Sequence, residues 1–140
     1  MQSMKVSVFM NRRPVVFTEQ LPVEAAVERL LQSRQRGGPV VDAAQRVIGF
    51  LSEQDCLAAM LRGTYHNEMS ATVGDCMYHG DVLTVFADDS IADVAQRMDA
   101  NKPKVYPVLD DETKQLVGVI TRTDVLAAID SFFQDSYRQR

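Results

Sequence analysis

The stretch Gly49–Met60, GFLSEQDCLAAM, returns as Gly118–Ile129, GVITRTDVLAAI. Each copy opens with an apolar run that suits a strand and closes with apolar spacing that suits a helix. At the hand-over stands S-x-x-D (Ser52, Asp55) or T-x-x-D (Thr121, Asp124). The duplication extends outward in both directions. GGPVVD ending at Asp42 matches VYPVLD ending at Asp110, and VEAAVERLL from Val23 matches IADVAQRMD from Ile91. VSVFMNRRPVVF from Val6 matches VGDCMYHGDVLT from Val73. Identities include Met10/Met77, Arg29/Arg97, Pro39/Pro107, Asp42/Asp110 and Gly49/Gly118. Two copies are too few for a solenoid, so they predict a pair packed with pseudo-twofold symmetry around one common core.

Each copy reads β-α-β-β-α, an α/β fold. The first β segment is Val15–Phe17 or Val82–Val85. The first helix carries Val23, Ala26, Val27, Leu30 and Leu31 at i, i+3, i+4, i+7 and i+8, a stripe repeated by Ile91, Val94, Ala95 and Met98. Pro22 suits the first turn of one helix and Asp89 the N-cap of the other. The next β runs are 39–42 with 47–51, and 105–110 with 116–120, each pair joined as a hairpin. A second helix starts near Ser52 or Thr121. The predicted organisation is a first domain at 1–61, a polar linker at 62–72 with Gly63 as helix stop, and a second domain at 73–140. The last helix extends past its counterpart through Phe132 and Phe133, an apolar seam that suits a second subunit.

Composition narrows the function. The chain has 140 residues, 46% of them hydrophobic, which suits a packed core rather than a disordered tail. No apolar run is long enough to span a bilayer, and the N-terminus carries no signal-peptide pattern. Fifteen Lys and Arg against 19 Asp and Glu give a net charge of −4, which disfavours nucleic acid as the main partner. Two cysteines, Cys56 and Cys76, make no disulfide framework, and the expected compartment is the reducing cytoplasm. With His66 and His79 they match no standard zinc spacing. There is no P-loop, dinucleotide fingerprint or nucleophile elbow, so no enzymatic activity is expected.

The [ST]-x-x-D motif has two readings. One is a capping box that secures a helix start. The other uses the same geometry for a ligand: a helix N-terminus and hydroxyl for a phosphate, and the carboxylate for vicinal hydroxyls such as those of a ribose.

Gly-h-h-[ST]-x-x-Asp, where h is apolar, preceded by h-Pro-Val-h-Asp and by the Met10 and Met77 segments, all duplicated, resembles a tandem pair of cystathionine-β-synthase (CBS) domains over residues 4–132. The resemblance implies an α/β pair with clefts between the copies that take AMP, ADP, ATP or S-adenosylmethionine as a regulatory ligand, with no obligatory cofactor. It places Ser52, Asp55, Thr121 and Asp124 at ribose or phosphate. It places the base against Val15, Val16 and Gly38 in one copy, and against Val82, Leu83 and Tyr106 in the other. It also implies a homodimer that passes ligand occupancy to an effector protein; a ligand-independent dimerising scaffold is the alternative. The copies differ in charge. Lys102, Lys104 and Arg122 favour an anion at the second site, whereas Glu53 opposes one at the first. Gly38 offers no side-chain wall for a base.

Overall fold

The computed structural model describes residues 4–66 and 71–138, with side chains for 4–63 and 71–135. The elements in chain order are α1 (Val6–Phe9), α2 (Val23–Ser33), β1 (Gly37–Val41), β2 (Val47–Ser52), α3 (Glu53–His66), α4 (Val73–Cys76), β3 (Val85–Phe86), α5 (Ile91–Arg97), β4 (Val105–Leu109), β5 (Leu116–Thr121) and α6 (Arg122–Arg138). This is the predicted α/β class in two repeats, with a one-turn helix added ahead of each. Thr72 and Asp75 form a capping box at the start of α4. α1 has no side-chain cap; it is held by the buried Val6 and by Val6 N–H to the Asp89 carbonyl at 2.9 Å.

The chain forms two compact units, Pro14–Val82 and Met1–Arg13 with Leu83–Arg140. These do not coincide with the sequence repeats. Each unit contains the opening segment of the other repeat. In the 14–82 unit, Val73 N–H bonds the Leu21 carbonyl at 2.8 Å and Tyr78 N–H bonds the Phe50 carbonyl at 2.9 Å. A Cβ at Gly49 would lie 2.7 Å from Met77 Sδ and 2.9 Å from the Tyr78 carbonyl. In the other unit, Asn11 pairs with Val119, and a Cβ at Gly118 would lie 2.6 Å from the Asn11 carbonyl and 3.0 Å from Met10 Sδ. The repeated glycine and the repeated methionine are thus two sides of one contact, made twice.

Both hairpins form as read from the sequence. β1 pairs antiparallel with β2, and β4 with β5, each with a bulge at the equivalent place, Val40/Val41 and Val108/Leu109. Their turns are alike too. Gln45 (φ 64°) and Lys114 (φ 62°) take the left-handed conformation. Asp42 Oδ1 accepts from Ala44 N–H and Arg46 N–H, and Asp110 Oδ2 from Glu112 N–H and Thr113 N–H. The Asp of the Pro-Val motif is therefore a turn residue, whose side chain mimics a backbone turn. β3 runs parallel to β4, Val85 beside Val108. Its counterpart contracts to a single parallel bridge, Phe17 beside Val40, so the strand read at Val15–Phe17 is mostly extended chain.

Other expectations shift. Ser90, not Asp89, caps α5, accepting from Asp93 N–H at 3.1 Å. Asp89 instead accepts from Phe86 N–H and pairs with Arg97 at 3.1 Å. Gly63 does not stop α3, which runs on to His66, so the helix enters the stretch read as linker. Residues 67–70 of that stretch, the His66 side chain and the final residues 139–140 lie outside what is described.

Burial is divided rather than common. One cluster comprises Val6, Met10, Val85, Ile91, Val94, Tyr106, Val108, Ile120, Val125 and Ala128. The other comprises Phe17, Ala26, Leu30, Val40, Leu51, Cys56, Val73 and Met77. Each lies within one unit and includes the exchanged opening segment. Leu31 (71% exposed) and Leu126 (67%) leave their predicted stripes for the surface. No described helix is long and apolar enough to cross a membrane.

Candidate functional site

The two [ST]-x-x-D motifs fold identically. Ser52 Oγ accepts from Asp55 N–H at 3.1 Å, and Asp55 Oδ2 accepts from Ser52 N–H at 3.0 Å. Thr121 and Asp124 repeat this at 3.0 Å and 2.9 Å. The capping reading is therefore correct in both copies. It does not exhaust the groups. Among the described residues each carboxylate commits Oδ2 and not Oδ1, each hydroxyl accepts without donating, and all four residues are partly exposed.

Around Thr121 the surroundings are cationic. Arg122 N–H bonds the Lys104 carbonyl at 3.0 Å, and Arg122 Nη2 bonds the Asp99 carbonyl at 3.1 Å. Arg122 Nε is buried without a hydrogen-bond partner among the described residues. A buried unsatisfied N–H on a cation costs free energy that an anion would offset. Lys102 and Lys104 are exposed. Around Ser52 the equivalent position is Glu53, also exposed, whose N–H bonds the Arg36 carbonyl at 2.9 Å.

A cavity of about 230 Å³ lies in the Leu83–Arg140 part of its unit. Leu83, Tyr106 and Lys102 line it, together with Thr84, Arg97 and Asp99, which the sequence did not single out. Tyr106 is 2% exposed, and its hydroxyl donates to the Arg97 carbonyl at 3.4 Å. Burial raises the Tyr106 pKa, with Asp99 adding to the shift, so the phenol stays protonated and a donor. Thr121, Asp124 and Lys104 are not among the lining residues; Arg122 reaches the rim through its bond to Asp99. Val82 falls one residue outside. The parallel pairs Phe17/Val40 and Val85/Val108 align Val15 and Val16 with Leu83 and Thr84, not with Val82 and Leu83.

The 14–82 unit treats its equivalent positions differently. Val15 N–H donates to Gln35 Oε1 at 3.0 Å, and Arg29 Nη1 donates to the Val16 carbonyl at 3.3 Å. Gly38 is buried beneath Val15. A larger cavity of about 460 Å³ lies in this unit between α2 and α3, lined by Leu30, Leu31, Cys56, Leu57 and Met60 together with the polar Glu53 and Gln54. It is a mainly apolar groove that reaches these two middle residues of the first S-x-x-D motif. Burial pushes the Cys56 thiol up to about 11, with Asp55 adding to the shift, and burial also raises Cys76. Neither is a thiolate at neutral pH. His79 is exposed, and no group of three metal-ligating side chains occurs among the described residues.

The CBS domain model matches this chain twice, at residues 6–62 and 73–131. The chain belongs to the CBS domain family. Among curated relatives, protein MJ1225 of Methanocaldococcus jannaschii is 27% identical over 130 residues, 93% of this chain and 44% of its own length. The gamma-3 subunit of human 5′-AMP-activated protein kinase is 29% identical over 119 residues, 81% of this chain and 24% of the subunit. This CBS pair thus spans less than half of the length of those relatives. Among solved structures, CBSX2 from Arabidopsis thaliana superposes with a TM-score of 0.80 at 26% identity, covering 94% of this chain and 98% of CBSX2. CBSX2 in complex with AMP gives 0.77 at 28% identity, covering 92% and 98%.

Proposed function

We propose that this CBS pair is a non-catalytic sensor module that binds an adenosine-type ligand and signals its occupancy to an effector protein. The observation that carries the reading is the helix start at Thr121–Asp124. Among the described residues it keeps a carboxylate oxygen and a hydroxyl proton without partners, and the next residue in sequence, Arg122, has a buried Nε without an acceptor. A ribose diol and a phosphate supply the missing partners. The AMP complex of the similar CBSX2 supports the same class of ligand. Calorimetric titration with AMP, ADP, ATP and S-adenosylmethionine tests it. Saturable heat with any of them supports the sensor; none with all four leaves the dimerising scaffold as the function. The completeness of both capping boxes favours that second reading, since each Asp already has a structural task.

The module is proposed to act as a homodimer in the cytoplasm. Leu126 and Phe133 on α6 are 67% and 52% exposed, and Phe132 packs edge-on to Phe133 at 5.6 Å. Burying a Phe stabilises by roughly 1.5–3 kcal/mol, and a twofold axis doubles the contribution. Light scattering at micromolar concentration should report a dimer. Leu126→Ser with Phe133→Ser should shift it towards monomer with far-UV circular dichroism retained. A variant that stays dimeric places the interface elsewhere.

A further inference from the structure

We infer that the chain carries one adenosine-type site, in the unit containing Leu83 to Arg140, because the equivalent slot of the other unit is filled by its own backbone. The inference rests on the sensor reading above and adds to it the number of sites and their cause. Gly38 and Tyr106 occupy the same position, each immediately before the Pro-Val pair of its hairpin. At Gly38 the place where a side chain would start is taken: a Cβ would meet the Val15 carbonyl oxygen at 2.2 Å and Val15 Cγ1 at 2.8 Å. The extended chain there lies directly on β1. It is fastened on both sides, by Gln35 at the Val15 amide and by Arg29 at the Val16 carbonyl.

In the other unit Tyr106 has a full ring at that position, buried among Ile91, Val94 and Ile120. Leu83 and Thr84, the counterparts of Val15 and Val16, then stand on the wall of the cavity of about 230 Å³. Arg97, the counterpart of Arg29, pairs instead with Asp89 at 3.1 Å. Tyr106 is the spacer that keeps the slot open. Gly38 is the residue that lets its slot close. Arg97 and Lys102 line the open cavity together with one carboxylate, Asp99.

Full-length protein is titrated with AMP, and separately photolabelled with 8-azido-AMP and digested. One equivalent per chain is expected, with label confined to peptides covering Leu83–Tyr106. Thr84→Trp, which fills the cavity, should lower AMP affinity at least tenfold. Should that variant fail to fold, Leu83→Asp at the exposed rim gives the same reading. Two equivalents per chain, or label within Val15–Gly38, overturns the single-site inference and leaves the sensor reading intact. No saturable heat with any of the four adenosine compounds overturns both.

Discussion

Asp124 Oδ2 holds the Thr121 N–H at 2.9 Å, and the proposed sensor reading assigns Oδ1 to a ligand. A hydrogen bond to a charged group contributes roughly 1.5–3 kcal/mol. Asp124→Ala should therefore weaken nucleotide binding about ten- to a hundredfold by calorimetry. It should also cost about 1 kcal/mol in urea denaturation, because the capping box loses the carboxylate that accepts from Thr121 N–H. Loss of stability with unchanged affinity would make Asp124 a capping residue only. Cys56 offers a second test at this scale. Its thiol, raised to about 11 mainly by burial, is protonated at neutral pH. Thiol titration with an aromatic disulfide reagent should be slow in the native protein and become fast in denaturant. Fast native labelling of Cys56 would contradict its burial. Part of the candidate cavity was legible residue by residue: Tyr106 and Leu83 line it, whereas Thr121 and Asp124, to which the duplicated motif pointed, do not. Thr84, Arg97 and Asp99 were missed, because their convergence depends on strand register and on where α5 ends. Neither leaves a local sequence mark.

The elements were legible wherever periodicity is local. The hairpins, α2, α5 and α6 were readable from apolar spacing and turn residues. The one-turn helices α1 and α4 were not, since four residues carry no period. The turn of the second hairpin carries a pH dependence. The Asp110 carboxyl is lowered from its ordinary value of 3.8, chiefly by backbone N–H bonds from Thr113 and Glu112. A lowered folded-state pKa means that the contribution is present above the unfolded value. It is lost as pH falls from there through the folded one. Urea midpoints measured from pH 5 down to pH 3 should fall, and Asp110→Asn should flatten the lower end of that slope. Asn keeps the acceptor oxygen for the turn but does not titrate. An identical slope in the variant would show that Asp110 does not govern the acid response.

At the scale of the molecule the decisive feature is that sequence repeats and folded units differ. The identities Met10/Met77 and Gly49/Gly118 marked equivalent positions of the two repeats, but did not show that the methionine of one repeat packs on the glycine of the other. That information is long-range and lies only in the packing. It has a direct consequence for dissection. A fragment of residues 1–72 is a complete first repeat, yet it lacks Val73 and Met77, which are 0% and 6% exposed in the core of the 14–82 unit. Each such side chain stabilises by roughly 1.5–3 kcal/mol. A single core in a domain below about 70–80 residues rarely supplies more than about 3–5 kcal/mol. Removing both therefore leaves little net stability. It also exposes the groove at Gly49 that Met77 fills. The fragment 14–82 keeps those residues and discards α1, which belongs to the other unit. Far-UV circular dichroism with urea titration should show cooperative unfolding for 14–82 and a weak, non-cooperative signal for 1–72. Equal stability of the two fragments would mean that the exchanged segment is dispensable, and that the repeat rather than the compact unit is what folds.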